Sequence, residues 1–151
     1  MGLLNKDLIV LDADVKTAED CIRLSSGLFF ELGFVKEGYA DAVLEREKVY
    51  PTGLPGKDIG IAIPHTNNTL VKKPGIGVIV PKEPVTFCMM GTKDKTLQCE
   101  LILPLVIQDS KMQVTMLKRI MKIIQDGELL KKIRDARSKD EIVGYLNSLE
   151  E

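Results

Sequence analysis

Tryptophan is absent from this chain, histidine occurs once, and aromatic residues make up only 5% of its 151 residues. So few rings give little material for base-stacking platforms. A net charge of −1 also supplies no basic field for nucleic acid or an acidic membrane surface. Cysteine is scarce as well. Cys21, Cys88 and Cys99 are too scattered for a disulfide framework, and an odd count fits a reducing compartment. With one histidine and dispersed cysteines there is no zinc-type ligand spacing, so neither a metal nor another cofactor is expected. The phosphate-binding patterns GxxxxGK[ST] and strand-following GxGxxG are missing, which leaves nucleotide binding by those modes unsupported. Long hydrophobic runs are missing too: Leu101 to Ile107 is interrupted by Pro104 and could not cross a bilayer. The opening MGLLNKDLIVLD has no basic region ahead of its apolar run, and Lys6 stands where a myristoylation site needs Ser or Thr. These absences point to a cytoplasmic protein with no direct membrane insertion and no nucleic-acid partner.

What is present is ordinary globular material, with 44% apolar and 28% charged residues, and the length suits one domain over residues 1–151. Asp7 to Leu11 reads as a buried strand. Thr17 and Asp20 form a capping-box pattern that opens a helix with Cys21, Leu24, Ser25, Leu28, Phe29 and Leu32 on one face, closed by Gly33. A second helix is expected from about Glu37 to Lys48, with Tyr39, Ala40, Val43 and Leu44 as its apolar side, followed by a turn at Pro51-Thr52-Gly53. Strands are expected at 59–63, 75–80 and 97–107, with a short edge piece at 85–87 and a polar loop at 89–95. Ser110 is the expected cap of a helix whose apolar positions are Val114, Leu117, Ile120, Met121 and Ile124, broken by Gly127. A short helix through Leu129, Leu130 and Ile133 follows, and Ser138 with Glu141 caps the last one. Apolar strands with amphipathic helices before and after predict an α/β domain, a three-layer α/β/α arrangement of one mixed sheet with helices on both faces.

The chemistry centres on Ile59-Gly60-Ile61-Ala62-Ile63-Pro64-His65-Thr66. A β-branched run is ended by Pro64, which lacks a backbone donor, and the only histidine follows in a polar loop. A neutral imidazole, with an ordinary pKa of about 6.5, is a competent nucleophile near neutral pH. Thr66, Asn67 and Asn68 are its nearby hydrogen-bonding residues. Arg46, near the end of the second helix, carries a planar donor fork suited to phosphoryl oxygens. No Ser, Cys or Asp forms an evident triad with His65. Asp12 and Asp14, after the first strand, resemble the aspartate pair of haloacid-dehalogenase-type phosphatases. The later acidic metal-binding motif of those enzymes is missing, and the pair reads better as turn chemistry.

Arg46-Glu47-x-x-x-Pro51-Thr52-Gly53-Leu54, followed by Ile61-Ala62-Ile63-Pro64-His65-Thr66, resembles the fructose/mannitol-type enzyme IIA of the bacterial phosphoenolpyruvate:sugar phosphotransferase system. The resemblance extends through Pro84-Val85-x-Phe87, Met90-Gly91, Gln113 and Leu117, and so covers nearly the whole chain. The Val-x-Phe…Met-Gly stretch and Thr66 look most like its galactitol-specific branch. The resemblance implies that His65 takes a phosphoryl group from the phosphohistidine of HPr and passes it to a cysteine of the cognate IIB component, which serves a membrane IIC component. It also assigns Arg46 to phosphoryl charge stabilisation and places Thr52, Thr66 and Lys111 in phosphate-adjacent or orienting positions. Lys111 stands where mannitol-type members carry a second histidine. A regulatory module of the same fold, which senses phosphorylation and binds a regulator, is the alternative reading.

Overall fold

Alternating side chains in the strands enter cores on opposite faces of the sheet, and this sets the architecture. The computed structural model of the chain describes residues 3–147. Within them, a seven-stranded sheet is built from β1 (Leu4–Ala13), β2 (Gly53–Pro55), β3 (Gly60–Ala62), β4 (Gly75–Pro81), β5 (Val85–Cys88), β6 (Thr96–Ile102) and β7 (Leu105–Val106). The helices are α1 (Ala18–Glu31), α2 (Tyr39–Val49), α3 (Ser110–Ile123), α4 (Gly127–Asp135) and α5 (Lys139–Tyr145). Ile76, Val78 and Val80 of β4 join the core containing Met116, Leu130 and Ile142 of α3, α4 and α5. Ile79, between them, packs instead with Cys21 of α1. The same alternation separates Ile61 and Ile63 from Ala62, and Leu101 and Leu103 from Ile102. Helices therefore cover both faces of a mixed sheet, as the apolar runs predict.

The strand order is β1-β4-β6-β3-β2, with β5 paired to β6 and β7 to β4. β6 is the hub: it runs antiparallel to β4 and β5 and parallel to β3. The β3 ladder continues beyond Ala62. The carbonyls of Ala62 and Pro64 accept from the amides of Leu103 (2.8 Å) and Leu105 (3.0 Å), so the backbone is held on both sides up to His65.

Several elements differ from the sequence reading for identifiable reasons. β1 is twice the expected length; Lys6 and Asp7 are exposed at a register shift, and pairing of Leu4 with Ile76 of β4 carries the strand on beyond them. Asp12 lies inside this strand at a register shift, with φ of 52°, and lines a cleft with Lys82, Glu100 and Arg134 that does not include His65. The expected strand at 97–107 is two pieces, because Pro104 cannot donate to a ladder. The Pro51-Thr52-Gly53 turn leads directly into β2, which the sequence did not signal. Asp109, not Ser110, caps α3: its Oδ1 accepts from the Met112 amide at 2.7 Å. The buried stripe of α3 is Met116, Ile120 and Ile123, and Val114 and Met121 are exposed. Gly127 begins α4 rather than breaking a helix, since Asp126 is the cap there. Thr17 and Asp20 form the full reciprocal box. At α5, Ser138 accepts from the Glu141 amide, but Glu141 reaches back to the Arg137 amide, one residue earlier than the box requires.

One glycine joins fold to site. A Cβ on Gly53 would lie 2.6 Å from the Cys88 carbonyl oxygen and 2.5 Å from Leu97 Cδ2. The Gly53 carbonyl also accepts from the Met90 amide at 2.8 Å, fixing the segment after β5 against β2. Gly53→Ala should therefore cost about 1–3 kcal/mol through forced displacement. Gly27→Ala, in the open middle of α1 where a Cβ meets nothing within 4 Å, should gain about 0.5–1 kcal/mol. Urea unfolding of both variants checks this; equal effects would refute the steric account of Gly53.

Candidate functional site

Pro64 ends β3 and turns His65 out of the sheet into a cleft of about 510 Å³. The cleft is lined from three directions. The end of α2 brings Arg46, Val49 and Tyr50; the segment after β5 brings Met90, Thr92 and Lys93; α3 brings Gln113 and Leu117. Thr52, just before β2, lies on the wall beside His65.

His65 is only 6% exposed. Its Nδ1 lies 2.7 Å from the carbonyl oxygen of Ile63. A carbonyl can only accept, so Nδ1 carries the proton and Nε2 keeps its lone pair. Burial holds the imidazole pKa below its ordinary value. The Arg46 charge pushes the same way, and the Ile63 bond opposes both. The ring is therefore a neutral nucleophile with one defined nitrogen available.

Arg46 stands in the last turn of α2 with its Cζ 5.0 Å from the centre of the Tyr50 ring. Its Nε is buried and has no hydrogen-bond partner, which leaves a cation with an unused donor beside the imidazole. Glu47, the next residue, accepts from Thr52 at both oxygens: 2.8 Å from the amide nitrogen to Oε2 and 2.7 Å from Oγ1 to Oε1. Burial raises the Glu47 pKa, and the two Thr52 bonds offset part of that rise. The Thr52 hydroxyl proton is thus committed to Glu47.

The structure brings His65, Arg46 and Thr52 together around one cleft. Thr66 and Lys111 are not among its lining residues. Thr66 is buried, near the Tyr39 hydroxyl that donates to the Leu105 carbonyl at 2.9 Å. Lys111 is exposed in the first turn of α3. Cys21 and Cys99 are buried and their thiols are pushed up to about 12, chiefly by burial, so neither is a nucleophile near neutral pH. Among the described residues no cluster of three or more His, Cys, Asp or Glu could hold a metal ion, and no helix is long and apolar enough to cross a membrane.

The profile of the phosphoenolpyruvate-dependent sugar phosphotransferase system EIIA 2 family matches residues 2–149. The chain belongs to that family. It is 34% identical over 90 residues to the mannitol-specific phosphotransferase enzyme IIA component of Geobacillus stearothermophilus, a match covering 58% of this chain and 60% of that protein. It is 42% identical over 62 residues to the mannitol-specific EIICBA component of Vibrio cholerae, covering 41% of this chain and 9% of that protein. These matches thus span less than two thirds of either curated relative. Among solved structures, the complex of enzyme IIAMTL with phosphorylated enzyme IIBMTL from Escherichia coli superposes with a TM-score of 0.80 at 24% identity, covering 98% of this chain and 99% of that one. The nitrogen regulatory protein IIA-Ntr of Neisseria meningitidis gives 0.75 at 22% identity, covering 95% and 96%. At these identities the structures establish the fold alone.

Sequence reasoning pointed to His65 and Arg46, which line one cleft in this EIIA 2 chain, but missed most of what surrounds them. Glu47 and Gln113 were visible only as motif letters, and Lys93 was hidden in a polar loop. The Glu-x-x-x-x-Thr spacing at the end of α2 was the one available signal for the Glu47–Thr52 pair. A direct check of the site is imidazole titration by NMR. His65 should titrate below about 6.5, and Arg46→Ala should move the midpoint upward by removing a like charge. A His65 midpoint above the ordinary value, or a downward shift in the variant, would contradict the electrostatics.

Proposed function

We propose that this chain is a phosphocarrier: His65 accepts a phosphoryl group from the phosphohistidine of HPr and passes it to a cysteine of a cognate IIB component, which feeds a membrane IIC component. The observation that carries this reading is the pairing of a free Nε2 on His65 with the unpartnered Nε of Arg46 across one cleft. In the first step the Nε2 lone pair attacks phosphorus in line, and the donor's N–P bond breaks with its electron pair returning to the donor ring. In the second, a thiolate attacks phosphorus and the His65 N–P bond breaks, its electrons returning to Nε2. Retention of the Nδ1 proton matters for this second step, because His65 then departs as neutral imidazole rather than imidazolate. Arg46 offsets charge on the equatorial oxygens in both steps.

A protein partner must reach this cleft, and its surroundings suit one. Among the described residues, every exposed large hydrophobic except Phe30 comes from the three segments that line it: Val49, Tyr50, Met90, Val114 and Met121. Such an apolar rim around a polar centre is the anatomy of a docking patch. Val85-x-Phe87…Met90-Gly91 and Thr66 support a galactitol-like branch, while the curated relatives carry the name mannitol. Both sugars are hexitols, so we infer a polyol system.

Lys93 lines the cleft and supplies the second cation; Lys111 sits outside the lining. Incubation with phosphorylated HPr should label the chain with acid-labile phosphate, and His65→Ala should abolish labelling. Arg46→Ala should slow transfer on the order of a hundredfold with little change in thermal midpoint. Lys93→Ala should slow it, and Lys111→Ala should leave it unchanged. Label on another residue refutes the assignment. Labelling without onward transfer to any IIB cysteine would favour the regulatory reading.

A further inference from the structure

We infer that Glu47 is a positioning residue for phosphoryl transfer, acting through Thr52 and Ile63 on the imidazole of His65; this deepens the phosphocarrier reading and rests on it. A continuous run of hydrogen bonds joins the two side chains. Both Glu47 oxygens accept from Thr52, at 2.7 and 2.8 Å. The Thr52 carbonyl accepts from the Ile63 amide at 3.2 Å, and the Ile63 carbonyl accepts from His65 Nδ1 at 2.7 Å. Gly53, next to Thr52, holds Met90 at 2.8 Å, so the same two residues also place the cleft's outer wall.

The chemistry of this run requires a carboxylate. Thr52 presents two donors to Glu47, and only an ionised carboxylate offers an acceptor to each. A glutamine of the same shape offers one acceptor and one donor. Its amide would donate to Thr52 Oγ1 and turn the hydroxyl proton away from residue 47. An aspartate is one methylene too short to reach from the helix. Glu47 also follows Arg46 directly in α2. Pinning it to Thr52 therefore fixes the phosphate-facing arginine relative to the strand that delivers His65. No cation forms an ion pair with Glu47 among the described residues. Thr52, three residues beyond the helix, is its hydrogen-bonding partner.

The test compares wild type, Glu47→Gln, Thr52→Ser and Thr52→Val by two independent readouts. One is the nitrogen NMR signature of the His65 tautomer without phosphate; the other is transfer from phosphorylated HPr, resolved into kcat and KM. Glu47→Gln should lower kcat about tenfold to a hundredfold with KM unchanged, and should mix the tautomers, reducing the Nδ1–H population. Thr52→Ser retains both donors and should keep the wild-type Nδ1–H tautomer population. Thr52→Val deletes only the hydroxyl bond and should fall between them; it carries the comparison if Glu47→Gln does not fold. A folded Glu47→Gln with wild-type kcat, an effect confined to KM, or an unaltered tautomer overturns the inference. If wild type takes no phosphate at all, the phosphocarrier reading fails separately, and the tautomer spectra still decide what Glu47 does.

Discussion

The hydrogen bond from His65 Nδ1 to the Ile63 carbonyl is the constraint on which the site depends. It fixes the tautomer, fixes the ring plane, and leaves Nε2 as the only nitrogen able to attack. It also joins residues only two apart in the chain, so the ring is tied to the backbone of the strand that carries it. Because Ile63 is in turn held by Thr52, and the Pro64 carbonyl by Leu105, the acceptor cannot drift. The nucleophile is thus oriented by sheet geometry rather than by a carboxylate placed directly behind the ring.

Burial and charge at the site work against protonation while leaving the ring reactive. Both the low exposure of His65 and the nearby Arg46 disfavour an imidazolium, so the free nitrogen remains available near neutral pH. On the phosphocarrier reading proposed above, the same cation would favour a dianionic phosphoryl group. Stacking on Tyr50 occupies one face of the guanidinium and leaves Nε unpartnered. A buried donor with no internal partner costs stability in the free protein, and on the proposed reading phosphoryl oxygens would supply the missing acceptor.

How far the sequence alone revealed this depends on whether the signal was local. Continuous runs of Ile, Val and Leu pointed to a sheet covered on both faces, and Thr17 with Asp20 pointed to a helix start that the structure reproduces bond for bond. The unique histidine after Ile-Pro stood out for the same reason: its setting is made by its immediate neighbours. The α3 face was misjudged in part: Ile120 and Ile124 are buried as expected, but Val114 and Met121 repeat at helical spacing just as a buried stripe does. Here Val114 and Met121 are exposed and Leu117 is only half-buried, one stripe away from Met116, Ile120 and Ile123. Lys111 was favoured by alignment with a family position, yet Lys93, from a loop of no apparent pattern, is the lysine that reaches the cleft. Glu47 was missed because its partner is set by how α2 ends, and a helix end is not visible in periodicity.

The central claim is that this chain's phosphoryl-accepting atom is chosen by a backbone carbonyl. Nitrogen–phosphorus coupling in the phosphorylated protein, labelled with nitrogen-15 at His65, reads that atom directly. The account predicts coupling to Nε2, with Nδ1 still protonated and bonded to Ile63. Coupling to Nδ1 would mean that the Ile63 bond breaks on phosphorylation, and would contradict it.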